Sequence, residues 1–470
     1  MITTGTTLRN RRQQLGLSQA KLAELCGISQ HVLSAFELEK TELPHEVLGS
    51  ISSALADSPR VSVLVQRRKR YQDHAYCEVD HKPERVRRAA QTNENQNYRD
   101  ELALIAQRHE SEKSDLTALS LFSGCGGFSL GFSAAGFQLK GFLELQEELR
   151  AIYRLNFPDS VELGGDITQF TDAELEKLPK RLGRIDAIIG GPPCQGFSLS
   201  GKRRVDDPRN DLFRHYLRFV DAVQPQFAVL ENVRLLTSMK NESGKLVKDD
   251  ICAEFTRHGY TVGCFEVNAK NYGVPQHRER VLFVALRKDL NLKPRLPYGT
   301  HADNHNDLFR EYLPCRSFGD ACSDLKYLES GEKSDDPLHE AVRHPKHVIE
   351  WLWDVPEGRS AHDNKDSALR PPSGYNTTYK RQVWSEPAST VQTTSGMISG
   401  CRNVHPIATR SLTVREAARI QSFPDSYRFD GNVGAVRTGI GNAVPPLMAY
   451  HIGQYAASMI KSCKSTQLRG

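Results

Sequence analysis

Ala118-Leu119-Ser120-Leu121-Phe122-Ser123-Gly124-Cys125-Gly126-Gly127 is an apolar run of strand length that empties directly into a glycine loop. The arrangement recurs downstream. Asp186-Ala187-Ile188-Ile189 leads into Gly190-Gly191-Pro192-Pro193-Cys194-Gln195-Gly196-Phe197-Ser198, and Phe227-Ala228-Val229-Leu230 leads into Glu231-Asn232-Val233. Such runs read as buried strands, and from Leu116 to about Leu286 they alternate with amphipathic helical patterns. That alternation predicts an α/β fold with a doubly wound, mostly parallel sheet. In such sheets ligands bind at the carboxyl ends of the strands. Three strand ends here offer a glycine loop, a thiol and a carboxylate.

Working outward, the rhythm breaks at residues 290–405, which are rich in His, Asp, Asn, Pro and Ser and read as an irregular insert. Helical pattern returns at Thr413–Gln421 and near Pro446–Ile460. Upstream, residues 58–114 are polar and charged, a linker with a helical pattern at Tyr98–Glu112. Between Arg60 and Arg88 nine Lys/Arg face four Asp/Glu, an excess equal to the +5 of the whole 470-residue chain. A basic linker of that kind suits a phosphate backbone. The predicted units are 1–57, 58–114, 115–289, 290–405 and 406–470.

The first 57 residues punctuate themselves as short helices. Ser18 caps one over Gln19–Cys26, Gly27 makes a turn, and Ser29 caps the next from Gln30 to about Glu37. Leu22, Leu25, Ile28, Val32, Leu33 and Phe36 fall where a small core needs them. A 39% hydrophobic composition gives the chain material for real cores, and no apolar stretch approaches the roughly 20 residues of a membrane helix. Ten cysteines without a C-x-x-C pair suggest neither a disulfide framework nor a metal site and fit a reducing, cytoplasmic compartment.

Cys194 is the cysteine set for chemistry, because two prolines stiffen the turn that presents it. Carboxylates follow strand ends elsewhere, at Phe142-Leu143-Glu144 and Gly165-Asp166-Ile167, where a ribose diol and an exocyclic amine would be received. The order glycine loop, Glu144, Asp166, Cys194, Glu231 points to a nucleoside-containing cofactor beside a nucleophile.

From Leu116 to about Ile460 these motifs, in this order, resemble the DNA (cytosine-5)-methyltransferase family. Phe122, Gly124, Cys125, Gly126 and Gly127 are similar to the cofactor loop, Glu144 to the ribose ligand, and Asp166-Ile167 to the adenine contact. Pro192-Pro193-Cys194-Gln195 resembles the nucleophile motif, with Pro193 also against the cofactor, and Glu231-Asn232-Val233 the acid motif. Gln276-His277-Arg278-Glu279-Arg280 resembles the two-arginine motif, and Thr413–Gln421 a structural helix. Gly441-Asn442-Ala443-Val444-Pro445-Pro446 resembles the segment that returns to the cofactor, through Asn442 and Val444. The N-terminal Leu-Ser-Gln-x-x-Leu-Ala-x-x-x-Gly-Ile-Ser is similar to the helix-turn-helix of phage-repressor-type regulators. Two departures stand out: Ser120 where many members have an acid, and Leu145 where an aromatic residue often flanks the adenine.

The resemblance implies a Rossmann-like methyltransferase domain, S-adenosylmethionine as methyl donor, and residues 290–405 as target recognition domain. Carbon 5 of cytosine is too weak a nucleophile to take a methyl group unaided, so a thiolate must first add to carbon 6. Cys194 fills that role. Glu231, protonated or sharing a proton, suits nitrogen 3 and the 4-amino group. Arg278 and Arg280 supply positive charge, and Arg280 holds the base, which must be flipped from the duplex. Ser200, Arg203 and Arg204 lie in a loop suited to closing over DNA. Thr390 belongs to a Thr-Leu-type element, here with Val391, near the flipped base. Tyr375–Arg381 has the side chains of base and phosphate contacts, and Gln30, His31 and Ser34 face a major groove. The implied setting is a restriction-modification system. Its partners would be double-stranded DNA, a cognate restriction endonuclease acting on the same site, and a second copy through the N-terminal domain, which would regulate transcription. Competing readings are a transfer-RNA cytosine-5 methyltransferase and a DNA-binding regulator with a non-catalytic methyltransferase domain.

Overall fold

The computed structural model describes residues 4–14, 17–56, 91–111, 114–193, 212–241, 244–303, 311–400 and 402–467. Helices α1 (Gly5–Gln14), α2 (Gln19–Leu25), α3 (Gln30–Glu37) and α4 (His45–Ala56) form an N-terminal unit. Its core is Leu8, Leu17, Leu22, Ala23, Leu33, Phe36, Ile51 and Leu55. The Ser29 hydroxyl accepts from the Val32 amide at 3.3 Å and starts α3 as the sequence predicts. Leu25 and Val32, assigned to the core by periodicity, are instead 49% and 38% exposed. Each lies about 90–110° round its helix from the centre of the buried arc. Part of the interior is ionic: Arg12 Nη2 lies 2.7 Å from Glu37 Oε2, and Gln19 donates to the same oxygen at 2.8 Å.

Helix α5 (Gln96–Ser111) falls within the segment read as linker, yet it is docked on the catalytic core. Tyr98, Leu102 and Ile105 form an i, i+4, i+7 stripe buried in that core. The Tyr98 hydroxyl donates to the Arg419 carbonyl at 2.6 Å, and the Asn95 amide to Asp324 Oδ1 at 2.6 Å. A stripe three residues wide inside a charged helix hides in a polar composition.

The central sheet contains β1 (Thr117–Leu121), β2 (Gln138–Leu143), β3 (Val161–Gly164), β4 (Ala187–Gly190), β5 (Phe227–Val233), β6 (Tyr260–Asn268) and β7 (Glu279–Arg287). Its strand order is β3-β2-β1-β4-β5-β7-β6. The first five strands pair in parallel, and β7 runs antiparallel to both neighbours. β1 and β4 are buried throughout, so their sequences are mostly apolar, with Thr117 and Ser120 of β1 as the polar exceptions. Successive residues serve opposite faces. Ala118, Phe142, Ile189, Val229 and Val284 face one core, and Leu119, Leu143, Ile188, Leu230 and Phe283 the other.

Helices α6 (Gly127–Ala134) and α7 (Glu147–Asn156) cover the first face, and α8 (Leu212–Val223) and α9 (Val247–Arg257) the second. The closing helices are α10 (Val414–Ile420), α11 (Val433–Asn442) and α12 (Pro446–Gln467). α10 is buried along its length and begins with a capping box between Thr413 and Glu416. Among the described residues no helix is long and apolar enough to cross a membrane.

The described residues of 290–405 are as irregular as their composition predicts, and the longest helix among them is the seven-residue Lys346–Leu352. Buried polar side chains organise them. The Arg381 guanidinium donates to the carbonyls of Leu352 at 2.9 Å, His405 at 3.1 Å, Ile407 at 3.0 Å and Ala408 at 2.6 Å. This corrects part of the reading of Tyr375–Arg381: Arg381 is an internal strut rather than a phosphate contact.

Candidate active site

Because β1 to β5 are parallel, their carboxyl ends share one edge of the sheet. β7 runs the other way, so its beginning lies at that same edge and brings the segment Gln276–Arg280 there. The register does the rest: Glu231 pairs with Leu282 and Val233 with Arg280, which makes Glu231 and Arg280 diagonal neighbours on one face. Arg280 Nε lies 2.8 Å from Glu231 Oε1, both side chains nearly buried.

The turn that leads to the predicted nucleophile is pressed against this pair. A side-chain carbon on Gly191 would stand 3.0 Å from Glu231 Oε2, close enough to press on the carboxylate. The Asn232 amide donates to the Pro192 carbonyl at 3.1 Å. Pro193 is exposed. Cys194, Ser200, Arg203 and Arg204 lie outside the described residues.

Arg278 has a different position from Arg280. It is 1% exposed, and its guanidinium donates to Gly441 O at 2.9 Å and Val391 O at 3.3 Å. Burial, and then the charge of Arg280, push its pKa well below the usual arginine range, against the opposing pull of Glu231. It braces the site from behind. A buried glutamine pair, not anticipated from the sequence, does similar work: Gln276 donates to Gln421 Oε1 at 2.7 Å and accepts from the Val391 amide at 2.8 Å. Gln421 reaches on to the carbonyls of Ile440 and Ala443. Both glutamines sit in motifs that were singled out, but a buried amide pair is visible only once two distant segments meet. Beside it Thr390 uses its hydroxyl on the His277 carbonyl at 2.7 Å.

At the ends of β1 to β3 the predicted cofactor residues come together. Phe122 and Gly124 adopt left-handed backbone, φ +52° and +55°. Gly126 begins α6 at φ +94°, where a side-chain carbon would also strike the Tyr427 hydroxyl at 2.5 Å. At Gly127 such a carbon would meet the Val444 carbonyl at 2.5 Å, so the returning segment touches the glycine loop directly. Glu144 is buried and accepts from the amides of Gly124 at 2.8 Å and Gln146 at 2.9 Å. Burial raises its pKa, while those amides oppose the shift. Each carboxylate oxygen keeps a lone pair for a further donor. Leu145 is 68% exposed beside it. Asp166 caps a short turn, accepting from the Thr168 amide at 2.9 Å, with Ile167 buried beneath. Asn442 is exposed and Val444 buried.

Cys125, in contrast, is fully buried, and burial pushes its thiol up to about 12. Ser120, the departure noted before the loop, is buried and accepts from Ser129 at 3.0 Å, which in turn accepts from the Tyr153 hydroxyl at 2.9 Å. On α3 of the N-terminal unit Gln30 and His31 are exposed and Ser34 half-buried.

Residues 116–457 match the family model of the C-5 cytosine-specific DNA methylases, and residues 8–58 match a helix-turn-helix model. The chain is 40% identical over 349 residues to the type II methyltransferase M1.HphI of Haemophilus parahaemolyticus, covering 73% of this chain and 87% of that one. To the type II methyltransferase M.DdeI of Desulfomicrobium norvegicum it is 35% identical, covering 72% and 88%. A solved structure described as a DNA modification methyltransferase encoded within a prophage (E. coli) superposes with a TM-score of 0.57 at 26% identity, over 74% of this chain and all of the other.

Proposed function

The chain belongs to the C-5 cytosine-specific DNA methylase family and is a DNA methyltransferase of the type II restriction-modification kind; from that premise we propose that it methylates carbon 5 of a cytosine flipped out of duplex DNA, through a covalent bond from Cys194. The observation that carries this reading is the Glu231–Arg280 pair, 2.8 Å apart and set against Gly191 three residues before that cysteine.

S-adenosylmethionine, when bound, supplies the methyl group. The residues present fit it: a glycine loop in which Gly124, at φ +55°, has open space where a side chain would stand, and buried Glu144 with spare acceptor capacity for a ribose. Asp166 and the exposed Leu145 stand beside them for the adenine. Phe122, Pro193 and Asn442 complete the proposed binding surface, and Cys125, Ile167 and Val444, which are buried, support it from behind rather than lining it.

The Cys194 thiolate adds to carbon 6, and electron density builds on the ring. Glu231 holds a proton at nitrogen 3 and accepts from the 4-amino group. Arg280 orients that carboxylate and binds the carbonyl oxygen of the base. Arg278, which faces backbone carbonyls rather than the cleft, is a positioning residue. After methylation a water molecule takes the carbon 5 proton, that bond's electron pair restores the carbon 5–carbon 6 double bond, Cys194 leaves as thiolate, and the nitrogen 3 proton returns to Glu231.

Ser200, Arg203, Arg204 and Thr390 are proposed to contact the duplex around the flipped base. Gln30, His31 and Ser34 are proposed to read a separate operator. In that role the N-terminal unit pairs with a second copy and regulates expression of the enzyme and of a cognate endonuclease. A footprint of the surrounding DNA without a protected palindrome would overturn the operator assignment.

Duplex DNA containing 5-fluorocytosine tests the catalytic proposal, because fluorine at carbon 5 blocks elimination. With S-adenosylmethionine the wild type should form an adduct that survives denaturing electrophoresis, and Cys194→Ala should not. No adduct with any duplex would remove the mechanism.

A further inference from the structure

The irregular region contains one tip whose support runs by hydrogen bonds into the catalytic edge of the sheet. Tyr375 stands there 81% exposed, with Asn376 and Thr377 exposed beside it. The backbone beneath is closely held. The Thr378 amide and hydroxyl both donate to the Tyr375 carbonyl at 2.8 Å, and the His362 ring meets the Thr378 hydroxyl at 3.1 Å. Gly374 has φ +125°, and a side-chain carbon there would lie 2.7 Å from the Thr378 hydroxyl. Tyr379 and Arg402 take left-handed backbone at +48° and +50°. Such conformations persist in non-glycine residues only where their surroundings over-determine them, and they cluster at functional sites.

From this tip three short steps reach the segment before β7. The Arg402 amide donates to the Thr377 carbonyl at 2.9 Å. The Gln382 side chain, 5% exposed, donates to the Arg402 carbonyl at 2.5 Å and to the Ser389 hydroxyl at 2.7 Å, and accepts from the Ser389 amide at 3.0 Å. Ser389 pairs in register with His277, one residue before Arg278. Arg381, adjacent to Gln382, anchors this segment on the carbonyls of His405, Ala408 and Leu352. The tip is therefore held at a fixed offset from Glu231 and Arg280.

A fixed offset is what base reading demands, since the bases flanking a flipped cytosine stand at set distances from it. An amide and a hydroxyl serve base edges, a tyrosine ring fills the space a displaced base leaves, and the exposed Arg402 serves a phosphate. Resting on the methyltransferase reading above, we propose that Tyr375 and Asn376 determine which bases flank the methylated cytosine, and that Gln382 is the positioning residue that keeps them in register with the catalytic pocket.

The test compares full-length wild type with Tyr375→Ala/Asn376→Ala and with Gln382→Leu, and with Gln382→Glu, which keeps the acceptor and loses the donor. Steady-state methylation of duplex DNA and sequencing of the methylated sites are the readouts, with thermal unfolding as a control. Loss of one base contact should raise KM for the preferred duplex about tenfold or more and admit sites that differ at a flanking base. Turnover at saturating DNA should stay near wild type. Gln382→Leu should show the same KM-against-kcat split, and Gln382→Glu, whose carboxylate accepts from Ser389 but faces the Arg402 carbonyl with no proton to donate, at least as large a one. If the double variant methylates the same sites with an unchanged KM, the tip assignment falls; if Gln382→Leu does so, the positioning role falls. A wild type that methylates no duplex overturns the methyltransferase reading, and this proposal with it.

Discussion

Arg280 and Glu231 meet across β7 and β5 at 2.8 Å, a pairing that exists only because the strands are antiparallel and in register Val233 to Arg280. Two nearly buried charges held this way orient each other, and removing either strands its partner. Glu231→Gln keeps the shape but cannot give up a proton, so kcat should fall by about 10²–10⁴ with little change in KM for DNA. Arg280→Ala should lose both turnover and stability, the latter by about 3–5 kcal/mol, the size of a broken buried pair. Single-turnover methylation and denaturant unfolding measure the two effects. Wild-type kcat in Glu231→Gln would refute the acid role.

The two cysteines of the catalytic motifs should behave oppositely. Cys125 is buried with its thiol pushed up to about 12, so at neutral pH it carries almost no thiolate. Alkylation of the native protein followed by mass spectrometry should leave Cys125 unmodified. Cys125→Ala should still form the 5-fluorocytosine adduct. Loss of the adduct in that variant, with the fold intact, would contradict the assignment of the nucleophile to Cys194.

Deleting residues 1–90 should leave a folded methyltransferase, whereas deleting residues 1–115 should not. The longer deletion strips Tyr98, Leu102 and Ile105 from the core, each worth about 1.5–3 kcal/mol. It also removes the Asn95 and Tyr98 hydrogen bonds to Asp324 and Arg419. Soluble yield, thermal unfolding and methylation of the two truncations decide the point, and equal stability would disprove the docking role of α5.

Acid should destabilise the catalytic unit through Glu416. Burial alone would raise its pKa, but Arg410, bonded to both its oxygens at 2.8 and 2.7 Å, holds it well below the usual carboxylate range. A folded-state pKa below the unfolded value of about 4.3 means a contribution fully present above that value and lost as pH falls through the folded one. Glu416→Gln should cost about 3–5 kcal/mol at neutral pH and show a shallower loss on acidification than the wild type. Urea unfolding at a series of pH values checks both. Parallel acid limbs in the two proteins would place the acid sensitivity elsewhere.

The sequence alone determined the parallel part of the sheet, because short apolar runs alternating with amphipathic helices have one good solution, buried parallel strands with their ligands at the carboxyl ends. It likewise marked Glu231 and the glycine loop, which stand at strand ends, while Arg280 was marked only by the family resemblance. Tertiary structure decided which side chains face the cleft. Arg278 and Arg280 stand two apart and read alike, yet one spends its guanidinium on Gly441 and Val391 and the other on Glu231. The same holds for Arg381, which looked like a phosphate contact and is a strut, for Gln276 and Gln421, and for α5, whose short apolar stripe lies hidden in a charged stretch. In each case the partner lies far along the chain, and hydrogen bonds to distant backbone carbonyls leave no periodicity in the sequence to read.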